Sequence, residues 1–196
     1  LNRLHAIAAD DETSPDDAVR ALLQLGAEWL SVAQGHLAEI DVAAGTHTIA
    51  EVSGPHPAAS RGNTRPLPRT YCRTLLGEDA VRAVADAPAD GWAEGPAFDE
   101  FGARTYLGTK VVVEGAFYGT LCFVDREARD DPFTEAEAAA AELLARTIGR
   151  LLGERAEGRP RQPSAAQLEA LFARSPNMIN IHDEEGNLIA PNPHLC

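Results

Sequence analysis

The residues of this chain with the greatest potential for chemistry are its three cysteines, Cys72, Cys122 and Cys196, which lie far apart in the sequence. No C-x-x-C pair is present and the count is odd, so a disulfide framework is not expected and a reducing cytoplasm is the natural compartment. Arg73 would lower the pKa of the Cys72 thiol if the two side chains met. We weigh a pocket thiol that senses redox state against the commoner role of a small packing residue. Cys122 lies within an apolar strand and is expected to be a core residue.

The histidines and carboxylates show no recognisable site in the sequence. The six histidines lack the spacing of metal ligands. No glycine-rich phosphate loop is present, and no nucleophile can be paired with a base from its position alone. The sequence therefore predicts no catalytic residue and no metal site, and it requires no cofactor.

An aromatic-rich stretch between Tyr71 and Tyr106 is the second candidate for a site. Its side chains are expected either to line an apolar pocket for an unidentified small molecule or only to fill the core beside a sheet. In the first case Asp86 or Arg104 would be the polar anchor. The pocket candidates are Tyr71, Cys72, Asp86, Trp92, Phe98, Phe101, Arg104 and Tyr106.

The charge of the chain argues against some classes of partner. The formal net charge is -13, from 30 acidic and 17 basic residues, and Lys110 is the only lysine. Such a surface repels nucleic acid phosphate and anionic lipid, so direct nucleic acid binding is not expected. We favour a halophilic source, where counterions screen this repulsion, over a GC-rich genome alone. No apolar run reaches the roughly 18 residues that a membrane helix needs, so no membrane insertion is expected.

The elements that must position the candidate residues begin with a β-hairpin over Thr105 to Arg126. Two β-rich runs flank Glu114-Gly115, where glycine can adopt the positive φ of a tight turn. Unbroken pairing from that turn predicts that Tyr106 faces Phe123 on one side of the sheet. The same pairing places Cys122 on the opposite side. Both sides are mostly apolar, so the hairpin is predicted at the centre of a sheet covered on both faces.

Two long helices are predicted around this hairpin. Helical periodicity runs from Pro15 to about Ala33. A capping box at Thr134 and Glu137 begins the second helix. Its apolar stripe either meets its own copy in a homodimer or docks onto the domain's own sheet. The stripe residues proposed for the dimer are Leu144, Ile148 and Leu151.

The remaining segments are predicted from turn residues and short patterns. They are a first hairpin of His36 to Asp41 and Thr46 to Ser53, a loop at 54–68, a short helix at 70–76, a strand at 80–85, an irregular stretch at 88–101 and a last hairpin of Met178 to His182 and Leu188 to Ala190.

Several short motifs together resemble a GAF domain, and the likeness covers roughly Asp16 to Gly153. It is nearest to the GAF domains of haloarchaeal sensor histidine kinases and bacterio-opsin-activator-like regulators. Residues 172–193 resemble the start of a PAS domain. The GAF motifs are TYCR (70–73), VADA (84–87), GWAEGPAFDEFG (91–102), YLG (106–108), YGTLCFVDR (118–126) and PFTEAE (132–137).

The resemblance implies an α+β fold: a six-stranded antiparallel sheet with the N- and C-terminal helices packed on one face and a loop-covered pocket on the other. We expect an incoming helix or linker at 1–13, the GAF domain at 14–155, a linker at 156–166 and a PAS fragment at 167–196. The chain begins at Leu1 without a signal-peptide pattern and is expected to belong to a longer protein.

The function implied by the resemblance is that of a sensory module in a two-component system. It would bind a ligand or sense redox state and pass the signal through its terminal helices to neighbouring domains. In bilin-bearing relatives the linking cysteine is commonly followed by His, whereas Arg73 follows Cys72 here. The N-K-x-x-F…D-E signature of cyclic-nucleotide-binding GAF domains is absent. Two alternatives stay open: a GAF enzyme that reduces free methionine sulfoxide with pocket cysteines, and a ligand-free dimerisation spacer.

Overall fold

The computed structural model describes residues 2–8, 13–54, 60–77, 81–158, 180–182 and 188–191. The contacts divide the chain into two units, residues 1–155 and 156–196. The helices described are α1 (Asn2–Ala8), α2 (Pro15–Leu30), α3 (Pro96–Phe101) and α4 (Glu135–Gly158). The strands of the first unit are β1 (Gln34–Asp41), β2 (Thr46–Ser53), β3 (Thr64–Pro66), β4 (Arg82–Val84), β5 (Thr105–Val113) and β6 (Ala116–Asp125).

These six strands form one antiparallel sheet in the order β3-β2-β1-β6-β5-β4. The predicted α+β fold, with its six-stranded antiparallel sheet, is confirmed. The longest strands, β5 and β6, pair through the turn at Glu114 and Gly115, both of which have positive φ. β1 and β6 are the two central strands, so residues on them can contact a layer on either face of the sheet.

The pairing within this hairpin differs from the prediction by one residue. Val112 pairs with Phe117 and Val111 pairs with Gly119, so Tyr118 is an extra residue on β6. An added Cβ at Gly119 would lie 1.9 Å from the Ala38 carbonyl oxygen, and only glycine permits this close approach of β1. Beyond the bulge every side chain of β6 changes face relative to β5. Tyr106 therefore pairs with Val124, not with Phe123.

Helix α2 begins as its sequence predicts and ends earlier. The Ser14 side chain accepts a hydrogen bond from the Asp17 amide at 3.2 Å, and Pro15 occupies the first turn. The helix ends at Leu30 because Ser31 takes the left-handed conformation, with φ of 51°. The predicted end at Ala33 was wrong, since the chain has already turned toward β1.

Helices α2 and α4 cover one face of the sheet. Phe123 of β6 is fully buried, and its ring occupies the space that a side chain at Gly26 of α2 would need. Leu144 and Ile148 of α4 are fully buried in this core, and Leu151 is partly buried against it. Leu144 and Ile148 thus dock onto the domain's own sheet, as in the alternative weighed for the stripe.

The other face lies under the cover, which comprises residues 67–77 and 85–104. Within it, the helix predicted at 70–76 is a short 3₁₀ segment, Tyr71–Leu75. The stretch predicted to be irregular contains α3. Of the strand predicted at 80–85, the described residues contain only β4. The loop predicted at 54–68 contains the short strand β3.

The second unit contains two short antiparallel strands, β7 (Asn180–His182) and β8 (Leu188–Pro191), close to the predicted last hairpin. The remaining residues of the predicted linker and PAS fragment lie outside the described residues, except for 156–158 at the end of α4. Among the helices described, none combines the length and apolar character needed to span a membrane.

Candidate functional site

A group of buried cysteines and histidines lies between the sheet and the cover. His36 lies on β1, His47 on β2 and Cys122 on β6, while Cys72 comes from the 3₁₀ segment of the cover. All four residues are at most 4% exposed. We call these four residues the Cys–His cluster. It joins three strands of the sheet to the cover across a single face.

The sulfur atoms of the Cys–His cluster are in direct contact. Cys72 Sγ lies 3.4 Å from Cys122 Sγ and 3.4 Å from His47 Nε2. The Tyr106 hydroxyl lies 3.4 Å from Cys122 Sγ, and the Cys122 thiol donates to Thr120 Oγ1 at 3.6 Å. The two thiols therefore belong to a small group of polar side chains inside an apolar core.

The strand register explains why these side chains meet. His36 pairs directly with Cys122 across the β1–β6 ladder, so the two lie side by side on one face. On the other side of β6, Cys122 pairs with Gly108 of β5. An added Cβ at Gly108 would lie 2.2 Å from the Tyr106 hydroxyl oxygen. Glycine at this position therefore makes room for the phenol to reach Cys122.

The pKa values of the two thiols are shifted in opposite directions. The hydrogen-bonding contact with Cys122 lowers the pKa of Cys72, and bonds with His36 and His47 act in the same direction, against the effect of burial. Burial raises the pKa of Cys122, and the neighbouring Cys72 adds to that rise. Burial likewise raises the pKa of Tyr106. Cys72 is therefore the more acidic of the two thiols, and Cys122 and Tyr106 are the groups that burial keeps protonated.

Both imidazole rings keep unused hydrogen-bonding capacity. Nδ1 of His36 and Nδ1 of His47 are buried and have no hydrogen-bond partner among the described residues. One donor atom from each of His36, His47 and Cys72 lies within 4.8 Å of the others. Spacing along the chain predicted no metal site, whereas the structure brings together three potential ligands from separate segments.

Aromatic rings cover the cluster. The rings of Tyr71 and Tyr106 lie 5.2 Å apart, and Trp92 lies 5.2 Å from Tyr71 and 6.2 Å from Tyr106. The Tyr71 hydroxyl donates to the carbonyls of Trp92 and Ala103, at 3.4 Å each. Burial raises the pKa of Tyr71 to about 12. These rings pack as a continuous layer over Cys72 and Cys122.

The other predicted pocket residues lie in the cover, near this layer. Phe98 and Phe101 pack against the same apolar cluster, and the Arg65 guanidinium lies 4.4 Å above the Phe101 ring. Arg104 and Asp86 form a two-pronged ion pair with each other, at 2.8 and 2.7 Å. That pair ties the end of β4 to the start of β5. It satisfies both groups without any ligand.

A small cleft lies along the cover. Its volume is about 170 Å³, and its walls include Tyr71, Arg73, Trp92, Glu94 and Ala97. Neither Cys72 nor Tyr106 lines it. Pockets for drug-sized molecules usually have about 300–1,000 Å³. The cleft is therefore smaller than an organic cofactor requires, although six predicted pocket residues do assemble beside the sheet.

Three residues of the site were missing from the pocket predicted from sequence: His36, His47 and Cys122. The bulge in β6 places Cys122 on the same face as Tyr106, whereas the unbroken pairing predicted from sequence placed it on the opposite face. The two histidines were not selected because their partners lie on other strands and in the cover. Side chains alternate between the two faces along β1 and β2. Combined with the sheet order, this alternation would have placed both histidines on the face of Cys122.

Comparisons with known proteins agree with this architecture. The family model described as "GAF domain" matches residues 15–152. Among curated proteins, none matches the chain significantly. The fold is also similar to many solved structures, three of which illustrate its range.

The first is the phycocyanobilin-bound GAF domain of a cyanobacterial phytochrome, with a TM-score of 0.65 and 14% identity over 81% of this chain and 96% of that chain. The second is free methionine-R-sulfoxide reductase from Neisseria meningitidis, with a TM-score of 0.60 and 15% identity over 78% and 87%. The third is a methyl-accepting chemotaxis protein, residues 122 to 287, with a TM-score of 0.63 and 13% identity over 79% and 99%. At these identities the likeness is one of fold.

Proposed function

The chain belongs to the GAF domain family, and we propose that it is a sensory or regulatory module that reads redox state through its two buried thiols. The observation that carries this proposal is the 3.4 Å separation of Cys72 Sγ and Cys122 Sγ. The sulfurs must approach by only about 1.4 Å to form a disulfide. One thiol lies on the sheet and the other on the cover, so the bond would join two layers of the domain.

The chemistry requires a two-electron oxidant, for which a hydroperoxide serves. The Cys72 sulfur attacks the terminal peroxide oxygen, the O–O bond breaks, and a sulfenic acid and an alcohol form. Cys122 then attacks the sulfenic sulfur and displaces water, leaving the Cys72–Cys122 disulfide. Two thiols are oxidised by two electrons, and their two protons leave with the alcohol and the water. A dithiol reductant reverses the change.

The packing provides a route from the thiols to the helices. Cys122 and Phe123 are adjacent on β6 and point to opposite faces. The Phe123 ring occupies the space beside Gly26 of α2, and Leu144 of α4 lies next to the same position. A bond that draws Cys122 toward the cover would therefore draw Phe123 away from both helices. Oxidation would thereby bias two arrangements of α2 and α4.

The structure favours a thiol stimulus over a bulky organic ligand. Cys72 is 3% exposed and contacts His47 and Cys122, so its sulfur faces the protein interior. A bilin bound at Cys72 would have to displace the layer of Tyr71, Trp92 and Tyr106. A small ligand in the 170 Å³ cleft remains the second form of the sensory proposal.

The alternative enzymatic function follows from the fold shared with free methionine-R-sulfoxide reductase from Neisseria meningitidis. Here both thiols are buried beneath aromatic rings, which favours signalling over turnover. Incubating wild type and Cys72→Ser with free methionine sulfoxide and a dithiol reductant separates the two functions. We expect no turnover from either protein, and turnover that depends on Cys72 would replace the sensor proposal with the enzyme.

We further propose that this module belongs to a signalling protein with neighbouring domains and that it acts as a homodimer. Since Leu144 and Ile148 are buried in the domain's own core, a dimer would use other surface positions. A ligand-free spacer is the remaining alternative. Native mass spectrometry of the reduced and oxidised protein measures both assembly and any bound mass.

Hydrogen exchange is the test of the proposed function. Exchange rates of α2 and α4 amides are compared between reduced and hydroperoxide-treated protein, in a Cys196→Ser background that leaves only the two buried thiols. We expect oxidation to change protection in both helices, and reductant to restore it. Cys122→Ala is the matched control and should show no change. Unchanged helices in protein with a formed disulfide would contradict the signalling role.

A further inference from the structure

The Cys–His cluster contains a set of donor atoms that the redox proposal leaves unexplained. His36 and His47 contribute two buried imidazoles beside the two thiols, on a face of the sheet that is otherwise mainly apolar. A disulfide needs neither imidazole. Burying an unpaired polar atom is unfavourable, so the two rings require a reason.

The donor atoms of His36, His47 and Cys72 lie close enough together to surround one tetrahedral cation after small side-chain movements. With zinc–sulfur bonds of about 2.3 Å and zinc–nitrogen bonds of about 2.0 Å, neighbouring ligand atoms in a tetrahedron lie about 3.3–3.8 Å apart. Cys72 Sγ lies 3.4 Å from His47 Nε2 and 3.4 Å from Cys122 Sγ. The donor atoms of His36, His47 and Cys72 all lie within 4.8 Å of one another. Small side-chain adjustments would bring them to coordination distance.

The unpartnered nitrogens supply an independent observation. Nδ1 of His36 and Nδ1 of His47 are buried without hydrogen-bond partners among the described residues. Protein groups therefore leave part of each ring unsatisfied. A cation would use one nitrogen lone pair of each imidazole, and rotation of a ring about its last side-chain bond determines which nitrogen faces the cation.

The donor types select the class of metal. Imidazole and thiolate favour zinc, copper and related transition metals, whereas magnesium and calcium prefer oxygen donors. No carboxylate belongs to the ligand group found among the described residues. We propose that the Cys–His cluster is a binding site for a borderline-soft transition-metal ion of the zinc class, with His36, His47 and Cys72 as its protein ligands.

This inference deepens the proposed function and rests on it, because the metal would occupy Cys72, one of the two thiols that oxidation joins. A metal-bound Cys72 thiolate cannot form the disulfide until the ion is released. The module would therefore have a metal-loaded state and an oxidised state that exclude each other. Bound metal is expected to protect Cys72 from hydroperoxide.

Cobalt(II) is the probe for the site, because tetrahedral cobalt with thiolate ligands absorbs visible light. Reduced, tag-free Cys196→Ser protein is titrated with cobalt and the spectrum recorded. We expect saturation at one equivalent, with the d–d bands of a tetrahedral ion and a thiolate-to-cobalt charge-transfer band. Addition of zinc should then abolish the spectrum by displacement. A spectrum without these bands, or one that Cys72→Ser leaves unchanged, would overturn the proposal.

Variants of the histidines test the ligand set. His36→Gln and His47→Gln keep a polar side chain at each position, and each is expected to weaken cobalt binding by at least about 10–100-fold. His5→Gln, at an exposed position on α1, is the matched control and should bind as the parent does. If a variant fails to fold, X-ray absorption of the zinc-loaded parent decides the matter. A mixed nitrogen–sulfur shell supports the site, and a shell of oxygen atoms alone overturns it.

The outcomes separate this inference from the proposed function. If the protein binds no cobalt but forms the Cys72–Cys122 disulfide, the metal site is contradicted and the redox role is supported. If the protein binds cobalt through Cys72 but never forms the disulfide, the metal site is supported and the redox role is contradicted. His47→Gln should lose metal protection while still forming the disulfide, and failure of that separation would contradict the proposed ligand role of His47.

Discussion

At the scale of residues, the site depends on small side chains that let larger ones approach. Gly108 lies under the Tyr106 phenol, and Gly119 lies against the β1 backbone where β6 bulges. The first glycine brings the Tyr106 hydroxyl to Cys122, and the second allows the bulge that turns Cys122 toward the cover. Neither glycine has positive φ, so the requirement at both is one of space.

Replacement of Gly108 tests this requirement. Gly108→Ala would place a Cβ 2.2 Å from the Tyr106 hydroxyl oxygen, so the ring must leave its position. We expect a loss of about 1–3 kcal/mol in the free energy of unfolding, as for other overpacked cores. Urea denaturation measures this change.

The matched control is Gly77→Ala, since an added Cβ at that exposed glycine meets no other atom within 4 Å. Its free energy of unfolding should stay within about 0.5 kcal/mol of the parent. Equal effects from the two substitutions would mean that the Tyr106 ring is not held over Gly108.

At the scale of elements, Arg129 joins the end of α2 to the start of α4. Its guanidinium donates to the Leu30 carbonyl at 2.6 Å and to the Glu137 carboxylate at 2.7 Å. It also lies 4.2 Å above the Phe133 ring. Glu137 accepts from the Thr134 amide at 2.7 Å, while Thr134 Oγ1 accepts from the Glu137 amide at 3.2 Å. The predicted capping box is thus confirmed, with an arginine added to it.

The pH dependence of stability should report this junction. Burial alone would raise the pKa of Glu137, but hydrogen bonds from Thr134 and the charge of Arg129 outweigh it and lower the pKa. A lowered carboxyl pKa contributes stability above the unfolded value of about 4.3, and that contribution is lost as pH falls through the folded value. The unfolding free energy of wild type should therefore exceed that of Glu137→Gln at pH 7, and the difference should shrink below about pH 4.

Glu154→Gln provides the control for that measurement. Glu154 pairs with Arg150 one turn away on an exposed part of α4, with about half of each side chain accessible. Its replacement should change stability by less than about 0.5 kcal/mol. A constant difference between wild type and Glu137→Gln from pH 7 to pH 3 would contradict the account of the junction.

At the scale of the whole molecule, the acidic excess sets the response to salt. The net charge of -13 is only partly offset locally, as at Glu51, which pairs with Arg20 at 3.0 Å and Arg61 at 3.2 Å. Asp16 in turn pairs with Arg61 at 2.7 Å, and also with Arg155 of α4. These pairs tie helix ends to the sheet, but 30 acidic residues against 17 basic ones leave long-range repulsion in the folded state.

Salt is therefore expected to stabilise the protein. At about 1 M salt the screening length falls to about 3 Å, which removes long-range repulsion while the closest ion pairs persist in part. The melting temperature should rise as potassium chloride is added up to about this concentration. Sucrose at equal osmolality controls for exclusion of solutes from the protein surface. A melting temperature that falls steadily with potassium chloride would mean that the ion pairs outweigh the repulsion.

Prediction from sequence succeeded where the determining interactions are local. The Ser14 cap, the Thr134–Glu137 box and the Glu114–Gly115 turn were each predicted from neighbouring residues, and the GAF resemblance supplied the six-stranded sheet. The prediction failed at β6, where one extra residue at Tyr118 reverses the face of every side chain beyond it. Because of that reversal, the contact between Cys72 and Cys122 could not be predicted. The bulge that causes it depends on the close approach of β1 to Gly119. The histidines meet partners that are distant in the sequence, and the sheet order that brings them together cannot be read from a local pattern.

The central claim is that Cys72 and Cys122 form a stimulus-responsive pair at the boundary of sheet and cover. Its most direct test is peptide mapping by mass spectrometry of Cys196→Ser protein treated with one equivalent of hydroperoxide. We predict a reductant-sensitive peptide pair joined through Cys72 and Cys122, with the protein still monomeric or dimeric as before treatment. Recovery of both residues as free thiols, or as singly oxidised acids without a link, would contradict the account.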